Sequence, residues 1–313
     1  MKTHLLFVAA GLLALAPIAA QAKIERVVEK TFTVQPGGTL TVETQGGDVR
    51  ILTSKDSTVK VTAKEKIKAG SESEADELLK KLTLTMEQVP EGVSALAKYE
   101  KPVSGWRFGS WPPVQVDFIV TVPANYNVSL KTTGGDIKVP ELGGKVYART
   151  SGGDVTLGKI AGEIDAGTSG GDVRLTEGGA TVHLTTSGGD IHVDRAVGAT
   201  DLDTSGGDIV IKSVENTLHA STSGGNVTAG IIGALKGECR LSTSGGRVRV
   251  TVDNGTAFDL NASTSGGVVD ATGLTITIEK GRVSRSKLEG KVNGGGPLLK
   301  LRSSGGDISV QTR

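Results

Sequence analysis

Aspartates recur every 18 residues in this chain, each directly after a glycine pair: Asp136, Asp154, Asp172, Asp190 and Asp208. Carboxylates stacked at strand spacing repel one another, and a calcium ion relieves such repulsion. However, the column continues through Asn226, Arg247 and Val268 while the surrounding repeat persists. Calcium-binding β-rolls need a second glycine–aspartate turn in each coil, and the segments KIAGEIDAG and EGGATVHLT lack it. The pattern therefore favours a structural turn over a calcium site.

A second column alternates acid and imidazole five residues before each glycine pair: Asp165, His183, Asp201 and His219. On stacked strands these side chains lie one strand spacing apart, with Asp203 nearby. His183, Asp201 and His219 are therefore a candidate site for a transition metal such as zinc. The alternative, which we favour, is a mixed-charge ladder that relieves like-charge stacking on a solvated face.

Aromatic side chains are concentrated in the segment KPVSGWRFGSWPP (101–113), which contains both tryptophans of the chain. Trp106, Arg107, Phe108 and Trp111 form a candidate ligand-binding group, because such side chains stack on sugar rings or anchor a protein partner. The alternative is that they pack onto the end of the fold as part of a cap. The sequence leaves both interpretations open.

The glycine pairs set the period of the whole chain. Their first glycines fall at 134, 152, 170, 188, 206 and 224, and then at 245 and 266. An early copy, TQGGDV, lies at 44–49, and weaker copies lie at 286–292 and 303–308. Such self-similarity predicts an all-β, parallel β-solenoid or β-helix with coils of about 18 residues.

Apolar and polar residues alternate on both sides of each glycine pair, as in Val146/Ala148/Thr150 before it and Val155/Leu157 after it. This period of two predicts two short strands per coil, each with one face inward. Either a positive φ or tight stacking would exclude a Cβ at the glycines, and the aspartate would hold the corner. Cys239 falls in an inward column, which predicts a buried, inert thiol.

The repeat is interrupted at residues 64–113, which we interpret as an inserted cap or flanking region. SESEADELLKKL (71–82) predicts a short helix with a capping box of Ser71 and Glu74. LTLTMEQ and VSALAKY on either side of Pro90-Glu91-Gly92 predict a β-hairpin. VQVDFIVTVP (114–123) then resumes the solenoid.

On these features the chain resembles a bacterial family known as "putative adhesin", a domain of unknown function built as a β-solenoid. The resemblance covers nearly all of the mature chain. It rests on the TSGGDV/TSGGDI copies, the inserted ELLKKL helix and the closing GGGPLLKLRSSGGDISV (294–310). It implies an exported, non-enzymatic protein of the envelope or cell surface and brings no catalytic residues.

The N-terminus predicts export. Lys2 and His4 precede the apolar run LLFVAAGLLALAPIAA, and Ala20-Gln21-Ala22 supplies small residues for cleavage, so we expect a signal peptide at 1–22 and a single solenoid domain at 23–313. No membrane span is expected after cleavage. The chain has 35 basic and 34 acidic residues, which gives no electrostatic reason to expect nucleic acid as a partner.

The sequence thus predicts an exported, non-enzymatic, adhesin-like binding or scaffolding protein that is periplasmic, surface-located or secreted. The expected partner is a cell-envelope polysaccharide or an envelope protein, and no cofactor is expected. Two alternatives stay open: a structural rod stabilised by calcium or zinc, and a polysaccharide-active β-helix enzyme. Coils of 18 residues leave short turns with little room for a catalytic cleft, which disfavours the enzyme.

Overall fold

The structure, a computed structural model, describes residues 23–100, 112–278 and 284–313. In these residues the strands form one sheet of 13 and one of 14 strands. The inward side chains of both sheets join a single hydrophobic core of small and branched residues. Most strands alternate strictly between buried and accessible positions, as the period-two pattern predicts.

The N-terminal part of the described chain contains the interrupting elements and the first coils. Its elements are β1 (Lys23–Thr33), β2 (Thr39–Thr44), β3 (Val49–Ser54), β4 (Thr58–Lys68), helix α1 (Glu72–Leu79), β5 (Leu82–Val89), β6 (Gly92–Tyr99) and β7 (Val114–Pro123).

The regular array follows, with two short strands in each coil. Its strands are β8 (Asn127–Lys131), β9 (Ile137–Leu142), β10 (Val146–Arg149), β11 (Val155–Ile160), β12 (Ile164–Gly167), β13 (Val173–Gly178), β14 (Val182–Thr185), β15 (Ile191–Ala196), β16 (Thr200–Asp203), β17 (Ile209–Val214), β18 (Leu218–Thr222) and β19 (Val227–Ile231).

The C-terminal part is less regular. Its strands are β20 (Cys239–Thr243), β21 (Val248–Val252), β22 (Phe258–Thr264), β23 (Val269–Asp270), β24 (Ile276–Thr277), β25 (Lys287–Val292), β26 (Leu298–Ser303) and β27 (Ile308–Thr312).

The predicted parallel β-solenoid is confirmed by the strand register. In the array each residue pairs with the residue 18 positions further along: Val155 lies beside Val173, and Val146 beside Ile164. Even-numbered strands from β8 to β20 stack in the 14-stranded sheet, and odd-numbered strands from β9 to β21 stack in the other. The glycine-pair turn therefore carries the chain from one sheet to the other in every coil.

At the N-terminal end the stacking order departs from the chain order. The coil β2–β3 lies between the coils β6–β7 and β8–β9, since β2 pairs in parallel with β6 and β8, and β3 with β7 and β9. The segment between Tyr99 and Val114 therefore connects the two sheets where other coils have a glycine-pair turn. β1 and β4 extend one sheet and β5 the other, all through antiparallel pairing.

The predicted helix and hairpin of the interruption are both present. Ser71 caps α1 and accepts a hydrogen bond from the Glu74 N–H at 3.2 Å. The Glu74 carboxylate accepts from the Gly70 N–H at 2.7 Å, so the reciprocal bond of the predicted capping box reaches one residue further back. Ala75 is buried against the core, and β5 pairs with β6 in the hairpin.

The C-terminal end corrects two expectations. The coils do not stack in chain order, because β26 inserts between β20 and β22, and β27 between β21 and β23. The predicted weak copy at 286–292 is wrong, because β25 pairs antiparallel with β22 and β24 rather than forming a coil. Apolar alternation alone does not distinguish a parallel coil strand from an antiparallel covering strand.

Candidate functional site: the turn ladder and the outer face of the 14-stranded sheet

The threonine before each glycine pair links two coils. Thr150 is buried, and its Oγ1 donates to the Gly135 carbonyl of the preceding coil at 2.9 Å. The same Oγ1 accepts from the N–H of Gly153 in its own turn at 3.3 Å. Its equivalents in other coils repeat one or both contacts, so this column satisfies backbone groups inside the turn.

The aspartate after each glycine pair binds the next coil rather than its own. The Oδ1 of Asp154 accepts a hydrogen bond from the Asp172 N–H at 2.8 Å, and Asp172 in turn accepts from the Asp190 N–H at 2.8 Å. We call this series the turn ladder; in stacking order it comprises Asp117, Asp48, Asp136, Asp154, Asp172, Asp190, Asp208 and Asn226.

The departures from aspartate fit the same role. The Asn226 side-chain oxygen accepts from the Arg247 N–H at 2.9 Å, as an aspartate would. Val268 belongs to the last coil of the stack, and its N–H donates to Asp307 at 2.9 Å. A residue that has no further coil to bind needs no acceptor, which explains how valine stands at this position.

Nearby cations offset the charge of the ladder. Lys66 forms an ion pair with Asp117 at its start, and Lys138 lies 3.2 Å from Asp136. Arg174 Nη2 lies 2.7 Å from Asp172. The hydrogen bond from the Asp154 N–H, and then Lys138, lower the pKa of Asp136 below its ordinary value. The acidic repeat is thus occupied by structural contacts, in agreement with the structural turn that the sequence favours.

The second glycine of each pair is required by stacking alone. A Cβ on Gly153 would collide with the carbonyl group of Gly135 in the preceding coil, whereas a Cβ on Gly152 would have no atom nearer than 3.7 Å. The glycines of these pairs are not among those with positive φ. Of the two predicted explanations, close approach of the backbones is the one that applies.

The predicted acid–imidazole column lies in the expected register on the outer face of the 14-stranded sheet. Asp165 pairs with His183, His183 with Asp201 and Asp201 with His219. His183 Nδ1 lies 3.4 Å from Asp201 Oδ2. Desolvation and then the charge of Asp201 raise the pKa of Asp203, against the opposing influence of the two histidines. No group of three or more His, Cys, Asp or Glu positioned to hold a metal occurs among the described residues. Metal binding here stays a prediction.

The predicted aromatic group Trp106, Arg107, Phe108 and Trp111 lies outside the described residues. The chain on either side of it is described. The Tyr99 N–H donates to the Gln45 side chain at 2.8 Å, and Pro112 is buried. Both flanks therefore lie beside the coil β2–β3, at the end of the stack.

The structure adds a feature that sequence reasoning missed, a groove of about 400 Å³ on the outer face of the 14-stranded sheet. We call it the basic groove; its charged lining side chains are Glu43, Lys98, Lys131 and Arg149. The signal was present in the alignment, because Glu43, Lys131 and Arg149 each lie three residues before a glycine pair. Their proximity follows only when this column is followed across coils instead of along the chain.

Tyr147 holds two of these cations. Lys131 Nζ lies 5.9 Å from the centroid of its ring, and the Arg149 guanidinium carbon lies 4.9 Å from it. Arg149 also forms an ion pair with Asp165, and Lys131 Nζ lies 3.3 Å from Glu43 Oε1. The ring and the carboxylates therefore fix the two cationic ends above the sheet.

A second groove, of about 490 Å³, runs along the other corner of the coils. Its charged lining alternates along the stack between Glu141, Lys159 and Glu177, and Lys55 lies at its end. The alternation leaves this groove with no dominant sign of charge.

The stacked parallel coils and their turn ladder define a β-solenoid, and sequence comparison names its family. The family described as Toastrack DUF4097 matches residues 38–311. Because the match spans most of the chain, the protein belongs to this family. No curated protein matches the chain.

Solved structures with a similar course of the chain come from gut bacteria. A "putative adhesin" from Parabacteroides merdae is 10% identical, with 91% of this chain and 96% of that chain covered and a TM-score of 0.42. A "putative lipid binding protein" from Parabacteroides distasonis is 12% identical, with 91% and 96% covered and a TM-score of 0.36. A "putative adhesin" from Bacteroides fragilis is 11% identical, with 92% and 97% covered and a TM-score of 0.33.

In the described part of the chain, no helix has the length and apolar character needed to cross a membrane.

Proposed function

We propose that this protein is an exported, non-enzymatic binding or scaffolding protein of the bacterial cell envelope. The observation that carries this role is the outer face of the 14-stranded sheet, where parallel coils hold accessible side chains in straight rows. One row runs from Tyr147 through Asp165, His183 and Asp201 to His219.

Such a face suits the binding of an extended partner. Adjacent strands are about 4.8 Å apart, so side chains recur at that spacing along each row. The turn ladder and the parallel pairing fix the strands before any partner arrives, so little ordering free energy is lost on binding. Many weak contacts can then act together on one polymer.

The aromatic group Trp106, Arg107, Phe108 and Trp111 is the proposed recognition element at the end of this face. Its flanking residues Tyr99 and Pro112 lie beside the coil β2–β3. Tryptophan side chains supply large contact areas for sugar rings or for a protein surface. The same general role is what the resemblance to the "putative adhesin" family implies.

Retention of the purified mature protein by isolated cell-envelope fractions tests this function. The wild type is compared with Trp106→Ala/Trp111→Ala after both are shown to unfold at similar temperatures. We expect the wild type to be retained and the double variant to be lost. Equal retention would assign the tryptophans to the cap and leave the outer face as the binding element. No retention of the wild type would contradict the proposed function.

A second candidate function, a metal-stabilised rod, is favoured by the 3.4 Å approach of His183 to Asp201 and by the pairing of Asp201 with His219. It predicts that zinc raises the melting temperature and that a chelator lowers it. His183→Ala/His219→Ala should abolish both effects. Zinc uptake that is no greater in the wild type than in this variant would rule the site out.

A further inference from the structure

We propose that the basic groove binds an anionic polysaccharide whose sugar residues carry carboxylates, which rests on the proposed function and names the class of polymer that the outer face takes. The groove crosses the strands β6, β2, β8 and β10 close to the N-terminal end of the stack. Its floor includes the buried residues Thr44, Ala97, Thr132 and Thr150.

The cations of the groove lie on neighbouring strands. Lys131 of β8 pairs directly with Arg149 of β10, and Glu43 of β2 pairs with Lys131 on its other side. Lys98 of β6 is exposed at the rim. Lys131 and Glu43 expose 50% and 46% of their side chains, and Arg149 exposes 31%. All of these groups are therefore accessible to a ligand.

The charges of the groove do not balance. Three cationic side chains, Lys98, Lys131 and Arg149, line it together with one carboxylate, Glu43. Like charges placed directly opposite each other on paired strands are unfavourable, and Lys131 with Arg149 is such a pair. Tyr147 nevertheless holds both cations close to its ring. A ligand that brings negative charge relieves this repulsion.

The spacing selects an extended polymer. The cations on adjacent strands are separated by about one strand spacing, 4.8 Å, so successive acidic groups of an extended chain can pair with both. The planar guanidinium of Arg149 suits a carboxylate, which it can bind through two parallel hydrogen bonds. The groove is open along the face, so the polymer can continue beyond it in both directions.

Binding of the mature protein to polygalacturonate, a linear polymer of uronic acid, tests the assignment by calorimetry at low salt, with neutral dextran as the control polymer. The groove variant Lys131→Gln/Arg149→Gln should lose about tenfold or more in affinity. The matched control is Arg240→Gln/Lys300→Gln, because these two cations also pair directly on adjacent strands of the same face. The control should bind within about twofold of the wild type.

A third variant guards against misfolding as an explanation. Glu43→Gln removes the one carboxylate of the groove and frees Lys131, so we expect tighter binding to polygalacturonate. A gain of affinity cannot arise from damage to the fold. Equal losses in the groove variant and the control variant, or weaker binding by Glu43→Gln, would overturn the assignment.

Two further outcomes separate this assignment from the proposed function. Wild-type protein that is retained by cell envelopes but does not bind polygalacturonate would overturn the assignment and leave the proposed function standing. Binding to vesicles of anionic phospholipid that is lost in the groove variant, without binding to polygalacturonate, would overturn the polysaccharide in favour of a membrane surface. Binding to polygalacturonate that is lost only in the groove variant supports it.

Discussion

The carboxylate of Asp154 accepts a hydrogen bond from the backbone N–H of Asp172, 18 residues further along the chain, at 2.8 Å. The repeated aspartate is therefore a contact between coils, and its acceptor atom is already used. This contact explains why an acidic residue recurs with the coil period although no ion is needed to hold it.

Replacing one ladder residue tests the contact between coils. Asp190 accepts from the Asp208 N–H at 2.7 Å, and Asp190→Ala leaves that amide without its side-chain acceptor. We expect a loss of about 1–3 kcal/mol in the free energy of unfolding, measured by urea denaturation. Asp190→Asn keeps an acceptor oxygen, as Asn226 does in the native ladder, and should lose much less. Equal losses in the two variants would show that charge, rather than the hydrogen bond, is what the ladder requires.

The two glycines of one turn should differ in their tolerance of alanine. A Cβ on Gly153 would meet the Gly135 carbonyl group, so Gly153→Ala must separate the coils and should lower the free energy of unfolding by about 2 kcal/mol or more. Gly152→Ala meets no atom within 3.7 Å and should change it by less than about 1 kcal/mol. Urea denaturation of the two variants measures both values. A reversed order would contradict the stacking described for this turn.

Glu65 makes stability depend on pH. It is buried on β4 between Arg26 of β1 and Val116 of β7, and desolvation raises its pKa above the ordinary 4.5, with Arg26 opposing the shift. The folded state therefore keeps a proton that the unfolded state has released, so the free energy of unfolding falls as pH rises through this window. Glu65→Gln removes this effect and should gain stability relative to the wild type at pH 7 compared with pH 4.

Urea denaturation of the wild type and Glu65→Gln at both pH values measures that gain. Replacement of the exposed Glu87 by Gln serves as the control and should show a smaller difference between the two pH values. A gain for Glu65→Gln at pH 4 that exceeds its gain at pH 7 would contradict the assigned direction.

Cys239 should be inert in the folded protein. Its side chain is fully buried at the start of β20, and burial raises the pKa of the thiol. The thiolate is the reactive form, so a thiol reagent should modify Cys239 only as fast as the coil opens. Labelling in buffer and in denaturant gives the two rates. Equal rates in the two conditions would mean that the inward position of Cys239 is not maintained.

Much of the fold follows from the sequence because the repeat interval fixes the register. With glycine pairs 18 residues apart, Val155 can lie beside Val173 only if every coil closes after the same number of residues. The inward positions follow from the same alignment. The stacking order at the two ends does not follow, because each coil presents similar edges to any neighbour. The positions of the β2–β3 and β26–β27 coils therefore depend on long-range packing that the repeat leaves undetermined.

The candidate sites were less accessible to sequence reasoning. The acid–imidazole column was found because its members recur at one position of the repeat. The basic groove requires Lys98, Lys131 and Arg149 to be compared across coils, and Lys98 belongs to β6, where no glycine pair marks the register. The role of Tyr147 depends on distances of its ring to two cations on different strands, which no spacing along the chain reveals.

Retention by cell-envelope fractions, measured for two folded variants side by side, tests most directly whether the repeats hold the fold while the outer face binds. The ladder variant Asp154→Asn/Asp172→Asn/Asp190→Asn keeps the acceptor oxygens, and we predict retention equal to that of the wild type. The groove variant Lys131→Gln/Arg149→Gln should lose retention. Loss of retention in the ladder variant together with full retention in the groove variant would contradict this division and make the repeated aspartates the binding site.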